Sequence, residues 1–204
     1  MIRITLMRHG KTIWNQERRI QGQLDSELLP ESKIQAIERG AALAANRFYR
    51  VYASTSSRAY QTAEYVLQGA EQNLSILRDP RLQEMHMGQM QGLLADEARA
   101  QFPQHFEDLI HRPARYVPVG DGEAFADVFH RVRDFLNTEI RPIVPAGGEP
   151  SEILIVSHGA TIKVFEAVLD GVNLENFVEG RVISNLECIR YDFDGTRYIK
   201  REFA

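Results

Sequence analysis

Three short runs rich in β-branched residues each lead into polar side chains that can do chemistry. The runs are Ile2–Met7, Val51–Ser54 and Ile153–Ser157. Arg8 and His9 follow the first run, Arg58 comes shortly after the second, and His158 follows the third. A guanidinium presents a rigid fork of donors that matches the oxygens of a phosphate, and it stays charged. Two arginines together with two histidines therefore predict a site for an anion.

The histidines of this set could ligate a metal, act as a base or act as a nucleophile. A metal is disfavoured because nearby arginines repel a cation, because the sequence has no HxH or HExxH pair, and because no carboxylate adjoins His9 or His158. A covalent role fits better, since a neutral imidazole can attack phosphorus while the arginines neutralise the phosphoryl oxygens. We therefore expect neither a metal nor another cofactor.

Such a reaction also needs a proton donor for the leaving alkoxide. Glu84 is the best candidate by position, because it stands where residues 85–120 begin. This segment breaks the pattern of strands and helices and contains three prolines, Pro103, Pro113 and Pro118. We interpret it as an insertion that forms a small cap over one edge of the sheet.

The elements that position these residues alternate between strands and helices. Apolar residues at helical spacing predict helices over Glu31–Phe48, Asp121–Ile140 and Thr161–Leu169. This alternation predicts a three-layer α/β fold, in which a mostly parallel central sheet has helices on both faces. Asp194-Gly195, between Leu186–Phe193 and Arg197–Phe203, favours a tight hairpin, so one edge of the sheet is expected to be antiparallel.

Two of the predicted helices carry expectations about which face is buried. In the first helix the apolar stripe consists of Ile34, Ile37, Ala41, Ala42 and Ala45. In the second helix Arg131, Arg133 and Asp134 are expected to face away from a stripe of phenylalanine, valine and leucine side chains.

Composition limits the class of protein. The chain has 204 residues, of which 44% are apolar and 25% charged, as is usual for a globular protein, and we expect one domain over residues 1–204. The net charge, 24 − 28 = −4, argues against nucleic acid or an anionic membrane as a partner. One cysteine, Cys188, cannot form an internal disulfide or a thiolate zinc site. Without a signal peptide or a spanning apolar run, a cytoplasmic location is expected; a homodimer is left open.

Five motifs follow one another in order along nearly the whole chain. They are Arg8-His9-Gly10 within Leu6–Asn15, Gln21-Gly22, Arg58 within Ser54–Ala63, Glu84 with Gly88 and Gly92, and Ser157-His158-Gly159. The ordered set resembles the histidine phosphatase superfamily, the phosphoglycerate mutase-like proteins. The triplet of arginine, histidine and glycine would be a weak signal alone, whereas the ordered set is highly specific.

The resemblance implies a role for each matching residue. His9 would be the nucleophile that becomes a phosphohistidine, with its other ring nitrogen oriented by a backbone carbonyl. Glu84 would be the general acid and afterwards the base for water. The remaining residues would bind the phosphate or line its pocket, and they are Arg8, Asn15, Gln21, Gly22, Arg58, His158 and Gly159. His158 would be at least partly cationic when the substrate is bound, and the partner would be a small phosphorylated metabolite.

The same phosphohistidine could pass its phosphoryl group to water or to an acceptor hydroxyl. The short chain and Ala160, which follows Ser157-His158-Gly159, favour a phosphatase by resemblance, whereas His86 is typical of mutases. We therefore expect a metal-independent phosphomonoesterase. The alternatives are a phosphoglycerate mutase and a binding protein for phosphorylated ligands with little activity.

Overall fold

One sheet holds all the strands found in the described part of this computed structural model, residues 1–143, 151–178 and 181–202. The strands are β1 (Ile2–Arg8), β2 (Phe48–Ser54), β3 (Ile76–Asp79), β4 (Ser151–Ser157), β5 (Cys188–Phe193) and β6 (Tyr198–Arg201). Their order across the sheet is β3-β2-β4-β1-β5-β6. The first four in that order are parallel, and β5 and β6 pair antiparallel. The predicted mixed sheet with an antiparallel edge is confirmed.

Helices cover both faces of the sheet. They are α1 (Ile13–Glu17), α2 (Pro30–Ala42), α3 (Ser57–Gly69), α4 (Ala95–Gln101), α5 (Pro103–His111), α6 (Phe125–Phe135) and α7 (Gly159–Leu169). A π-helical segment, Leu136–Ile140, continues α6. None of the described helices is both long and apolar enough to cross a membrane.

The central strand β4 is apolar because both of its faces are covered. Ile153 and Ile155 belong to the core on the side of α6 and α7, whereas Leu154 and Val156 belong to the core on the side of α2 and α3. All four side chains are fully buried. Alternate residues of a strand point to opposite faces, so this pattern confirms the predicted three layers.

The predicted face of α2 is wrong. Ile34 is 59% exposed, and the helix buries its small residues Ser32, Ala36 and Gly40 instead. The reason is the close approach of α3: a Cβ on Gly40 would collide with the carbonyl of Val66, and one on Gly69 would collide with that of Ile37. Branched side chains would hold the two helices apart, so the contact selects residues by size and not by hydrophobicity.

Several element boundaries also differ from the predictions. The first predicted helix ends at Ala42, and Phe48 already belongs to β2, whereas the second begins at Phe125 and not at Asp121. Both α3 and β3 were missing from the prediction. The hairpin is present with shorter strands than expected, and Phe203 lies outside the described residues.

Residues 85–120 contain α4, α5 and short 3₁₀ turns. They pack on the rest of the core through Met85, Met90 and Phe106, and Met85, Met87 and Leu109 line the main pocket. That they act as a cap which selects the substrate stays a prediction.

Candidate active site

Parallel pairing of β1 with β4 brings the two predicted histidines together. Arg8 lies opposite Ser157 in the register, and the amide of His9 donates to the Ser157 carbonyl at 2.9 Å. His9 directly follows β1 and His158 directly follows β4. The centroids of their imidazole rings lie 5.1 Å apart. The carboxyl ends of adjacent parallel strands thus form one site, as in other open α/β sheets.

The surroundings of the His9 imidazole favour a neutral ring with one nitrogen free of a proton. It is buried, and its Nδ1 lies 2.7 Å from the carbonyl oxygen of Gly10, which fixes the proton on Nδ1 and leaves the lone pair on Nε2. Burial lowers the pKa of His9 well below 6.5, and the charges of Arg58 and Arg8 lower it further. The free imidazole therefore stays unprotonated near neutral pH.

Arg58 joins His9 to the loop that follows α1. Its Nε donates to Nε2 of His9 at 3.4 Å, and its two terminal nitrogens donate to the carbonyls of Leu24 (2.7 Å) and Gly22 (2.8 Å). The side chain is only 1% exposed. Burial lowers the pKa of the guanidinium, an effect that Asp25 opposes, but an arginine keeps its charge even so.

The backbone of Gly22 allows the loop to curl beneath Arg58. Its φ of +53° lies in the left-handed region, and a Cβ at this position would collide with the side-chain oxygen of Gln91. The positive φ favours glycine here, and any larger residue would also have to displace the side chain of Gln91. The resemblance had placed Gly22 in the pocket, and it does line the pocket wall.

Asp25 completes the support of Arg58, although sequence reasoning missed it. Its carboxylate accepts from Nη1 of Arg58 at 3.0 Å and from the backbone amide of Ser57 at 2.5 Å. Burial raises the pKa of Asp25, but the charge of Arg58 and the hydrogen bonds from Ser57 and Arg58 outweigh burial, so the pKa lies below 3.8. The only hint in the sequence was the position of this acidic residue, three residues after the Gln21-Gly22 motif.

We expect Asp25→Asn to destabilise the protein by about 1–2 kcal/mol at neutral pH, because a charge-assisted hydrogen bond to a buried guanidinium is lost. Since the folded pKa of Asp25 is depressed, this stabilisation is present above the unfolded pKa and is lost as the pH falls through the folded pKa. Urea unfolding at neutral and acid pH measures it.

The difference between wild type and Asp25→Asn should therefore shrink as the pH drops below 3.8. Asp96→Asn is the matched control, because Asp96 is fully exposed and its partner Arg99 lies 3.8 Å away on the surface. Equal stability of Asp25→Asn and Asp96→Asn at neutral pH would contradict the supporting role of Asp25.

Arg8 and His158 each bury a side-chain nitrogen, but only Arg8 is among the described residues that line the main pocket. Arg8 donates through Nη1 to the Ile183 carbonyl at 2.5 Å, and its Nε has no hydrogen-bond partner among the described residues. Nε2 of His158 lies 3.2 Å from Oγ of Ser56, while Nδ1 is buried and equally unpartnered within the described ranges. Unpaired buried nitrogens are costly, and an anion could accept from both.

Burial lowers the pKa of His158 well below 6.5, and Arg58, His9, Arg131 and Arg8 lower it further. The ring is therefore neutral in the free protein. The cationic His158 implied by the resemblance concerns the state with bound substrate, where a phosphate dianion would favour the charged ring, and it stays a prediction.

Glu84 lies at the amino end of α7, next to the histidines. Its Oε1 accepts from the amides of Met85 (3.0 Å) and Thr161 (3.2 Å), and its Oε2 accepts from the amide of Ala160 at 3.3 Å. The hydroxyl of Thr161 lies 3.3 Å from Oε1. The carboxylate is thus held by fixed donors and lines the same pocket as His9. Sequence reasoning had identified Glu84 but not Thr161.

The ion pair of Arg131 with Glu123 holds the backbone just after Glu84 in place. Nε of Arg131 donates to Glu123 at 3.0 Å, and the other carboxylate oxygen of Glu123 accepts from the amide of His86 at 2.8 Å. Arg131 also donates to the Arg81 carbonyl at 2.7 Å. The prediction that Arg131 faces away from the core is therefore wrong, because its guanidinium neutralises Glu123 inside the fold.

The remaining predicted residues, Asn15, Gln21 and Gly159, all line the pocket. The side-chain oxygen of Asn15 accepts from the amide of Thr12 at 3.2 Å and from Nδ2 of Asn185 at 3.4 Å. Asn185, which sequence reasoning missed, also donates to the His9 carbonyl at 2.9 Å and so fixes the nucleophile's backbone. It comes from the loop before β5, and nothing in its local sequence indicated this contact.

The pocket has a volume of about 320 Å³, at the small end of the range for ligand sites. Its lining combines the cluster of Arg8, His9, Arg58 and Glu84 with several apolar side chains. Within the described ranges, no three His, Cys, Asp or Glu side chains come together in a group that could hold a metal ion.

Comparison with known proteins agrees with this arrangement. The profile of the histidine phosphatase superfamily (branch 1) matches residues 4–203. Phosphoserine phosphatase 1 of Hydrogenobacter thermophilus is 29% identical over 177 residues, which cover 87% of this chain and 80% of the relative. The probable phosphoglycerate mutase GpmB of Cronobacter sakazakii is 30% identical over 201 residues, covering 98% of this chain and 88% of the relative.

Among solved structures, YhfR of Bacillus stearothermophilus superimposes with a TM-score of 0.87. It is 32% identical, and the match covers 98% of this chain and 95% of that one. The fold is therefore shared over nearly the whole length of both proteins.

Proposed function

The chain belongs to the histidine phosphatase superfamily, which contains both phosphatases and mutases, and from this premise we propose that it is a phosphomonoesterase. It acts through a phosphohistidine on a small phosphorylated metabolite. The observation that carries the proposal is the neutral imidazole of His9, whose proton is held at Nδ1 by Gly10 and whose Nε2 faces Arg58.

In the first step Nε2 of His9 attacks phosphorus, and the bond from phosphorus to the ester oxygen breaks. Arg8 and Arg58 offset the charge on the phosphoryl oxygens, with His158 donating to them. Glu84 gives its proton to the departing oxygen, so an alcohol leaves and not an alkoxide. The products of this step are the alcohol, an ionised Glu84 and a phosphohistidine.

In the second step Glu84 takes a proton from water, and the hydroxide attacks phosphorus. The bond from nitrogen to phosphorus breaks, inorganic phosphate leaves, and His9 returns to its neutral state while Glu84 is again protonated. No redox agent takes part. The arginines supply the positive charge that a metal provides in other phosphoryl transfers, so we propose that no metal is needed.

Transfer to water is favoured over transfer to an acceptor hydroxyl by the surroundings of Glu84. Ala160 donates its amide to the acid, and Met85, Met87 and Phe125 line the pocket nearby. Apolar side chains make no ion pair with the second phosphate of a bisphosphate, the intermediate that a mutase must hold while it reorients. Burial raises the pKa of the Cys188 thiol to about 11, so little reactive thiolate forms near neutral pH and Cys188 is not expected to act as the nucleophile.

The proposal is tested by phosphate release from p-nitrophenyl phosphate in the presence of a chelator. The wild type should turn over repeatedly. A folded wild type without hydrolysis would contradict the phosphatase function. Conversion of 3-phosphoglycerate to 2-phosphoglycerate, primed with the bisphosphate and faster than any phosphate release, would identify a mutase instead.

A further inference from the structure

Apolar side chains from distant parts of the chain contribute a large share of the pocket lining. We define the apolar wall as Ile20, Met87, Leu109, Phe125, Val182 and Ile183. Met87, Phe125 and Ile183 are buried, and Leu109 is partly buried. Val182, by contrast, is 76% exposed although it lines the pocket, so an apolar side chain is held at the mouth where it gains little from folding.

The polar side chains along this wall use part of their hydrogen-bonding capacity within the protein. Arg19 donates to Glu17 at 3.0 Å and to the Gly92 carbonyl at 2.6 Å. The side-chain oxygen of Asn15 is engaged by Thr12. Gln21, whose buried Oε1 has no partner in the described part of the chain, and Lys163 at the rim complete the polar lining.

Hydroxyl groups of a ligand that face the apolar wall would find no partner on these side chains. A buried hydroxyl without a partner reduces affinity by roughly five- to 100-fold. A hydrocarbon surface in the same place gains from leaving water, at no cost in hydrogen bonds. The size of the pocket, about 320 Å³ including the part beside the charged cluster, leaves room for one ring or a branched chain.

We propose that the alcohol released from the substrate is a compact apolar group, a branched alkyl chain or a single ring. This inference rests on the proposed phosphatase function and specifies its substrate class. The phosphate is recognised by the charged cluster of the pocket, and selectivity between esters comes from the apolar wall. Sugar phosphates and phosphorylated hydroxy acids would then be poor substrates.

The test compares cyclohexylmethyl phosphate with glucose 6-phosphate, because both are primary phosphate esters on a six-membered ring and differ mainly in their hydroxyls. We expect kcat/KM to favour the cyclohexyl ester by at least about tenfold. Equal values, or a preference for glucose 6-phosphate or 3-phosphoglycerate, would overturn the inference and leave the phosphatase function intact.

Substitutions in the apolar wall test whether these residues cause the preference for the cyclohexyl ester. Val182→Asn and Leu109→Asn should each reduce the preference for the cyclohexyl ester about three- to tenfold. Val117→Asn is the control, since Val117 is 65% exposed and does not line this pocket. Because Val182 is exposed, its replacement leaves the fold intact, so an unchanged preference in Val182→Asn and Leu109→Asn would count against the wall.

A binding measurement separates the two hypotheses. Cyclohexylmethyl phosphonate cannot be hydrolysed, and it should bind at least about tenfold more tightly than methyl phosphonate. Tighter binding without hydrolysis of any ester would support the apolar wall and contradict the phosphatase function. Equal binding of the two phosphonates would overturn the apolar wall whether or not the protein hydrolyses esters.

Discussion

Replacement of His9 by alanine should lower kcat by about 10⁴- to 10⁶-fold, the largest effect expected of any single change. His158 is the neighbouring imidazole, with ring centroids 5.1 Å apart and its Nε2 in contact with Ser56, and we do not expect it to replace His9. Acid-quenched samples of the wild type should contain a phosphorylated protein that is labile in acid, and the variant should contain none. Phosphate release and this trapping experiment measure the effect together.

His111→Ala is the matched control, because this histidine is 62% exposed on α5. It should keep full activity and stability. The His9 variant must also be shown to fold, by circular dichroism and urea unfolding, since the ring is buried. Activity of folded His9→Ala within a hundredfold of the wild type would exclude His9 as the nucleophile.

Replacement of Glu84 by glutamine should lower kcat for alkyl phosphates by about 10²- to 10⁴-fold, because the leaving alkoxide loses its proton donor. p-Nitrophenyl phosphate should behave differently. Nitrophenolate leaves without a proton, so the first step proceeds, whereas water is no longer activated in the second. We expect a burst of one nitrophenolate per active site followed by slow turnover.

Glutamine keeps one oxygen to accept from Thr161 or Ala160, so the variant should retain the local structure. Glu107→Gln, an exposed change on α5, is the control and should behave as wild type. If Glu84→Gln hydrolysed alkyl phosphates at the wild-type rate, another group would have to be the acid.

The principal residues of the site could be predicted because the ends of strands carry them. Arg8, His9 and His158 directly follow apolar runs, and parallel pairing alone brings such positions together. Glu84 was found by its place in the motif order. These predictions needed no knowledge of side-chain contacts.

The supporting residues could not be found in the same way. Asp25 and Asn185 reach Arg58 and His9 from loops that are distant in sequence, and only the folded chain brings them close. The exposed Ile34 shows the same limit in a helix, since the face of α2 is set by the space that α3 leaves and not by hydrophobicity. Local patterns carry no information about such spacing.

The hydrogen bonds of Arg58 have a consequence for how this chain can change over evolution. Four of the five N–H groups of a guanidinium are used, on His9, Leu24, Asp25 and Gly22, before any ligand binds. Lysine cannot replace such a fork. A descendant that had lost all turnover would still need the arginine to keep its loop in place. Retention of Arg58 in a sequence is therefore not by itself evidence of catalysis, because the loop needs this arginine whether or not it also binds phosphate.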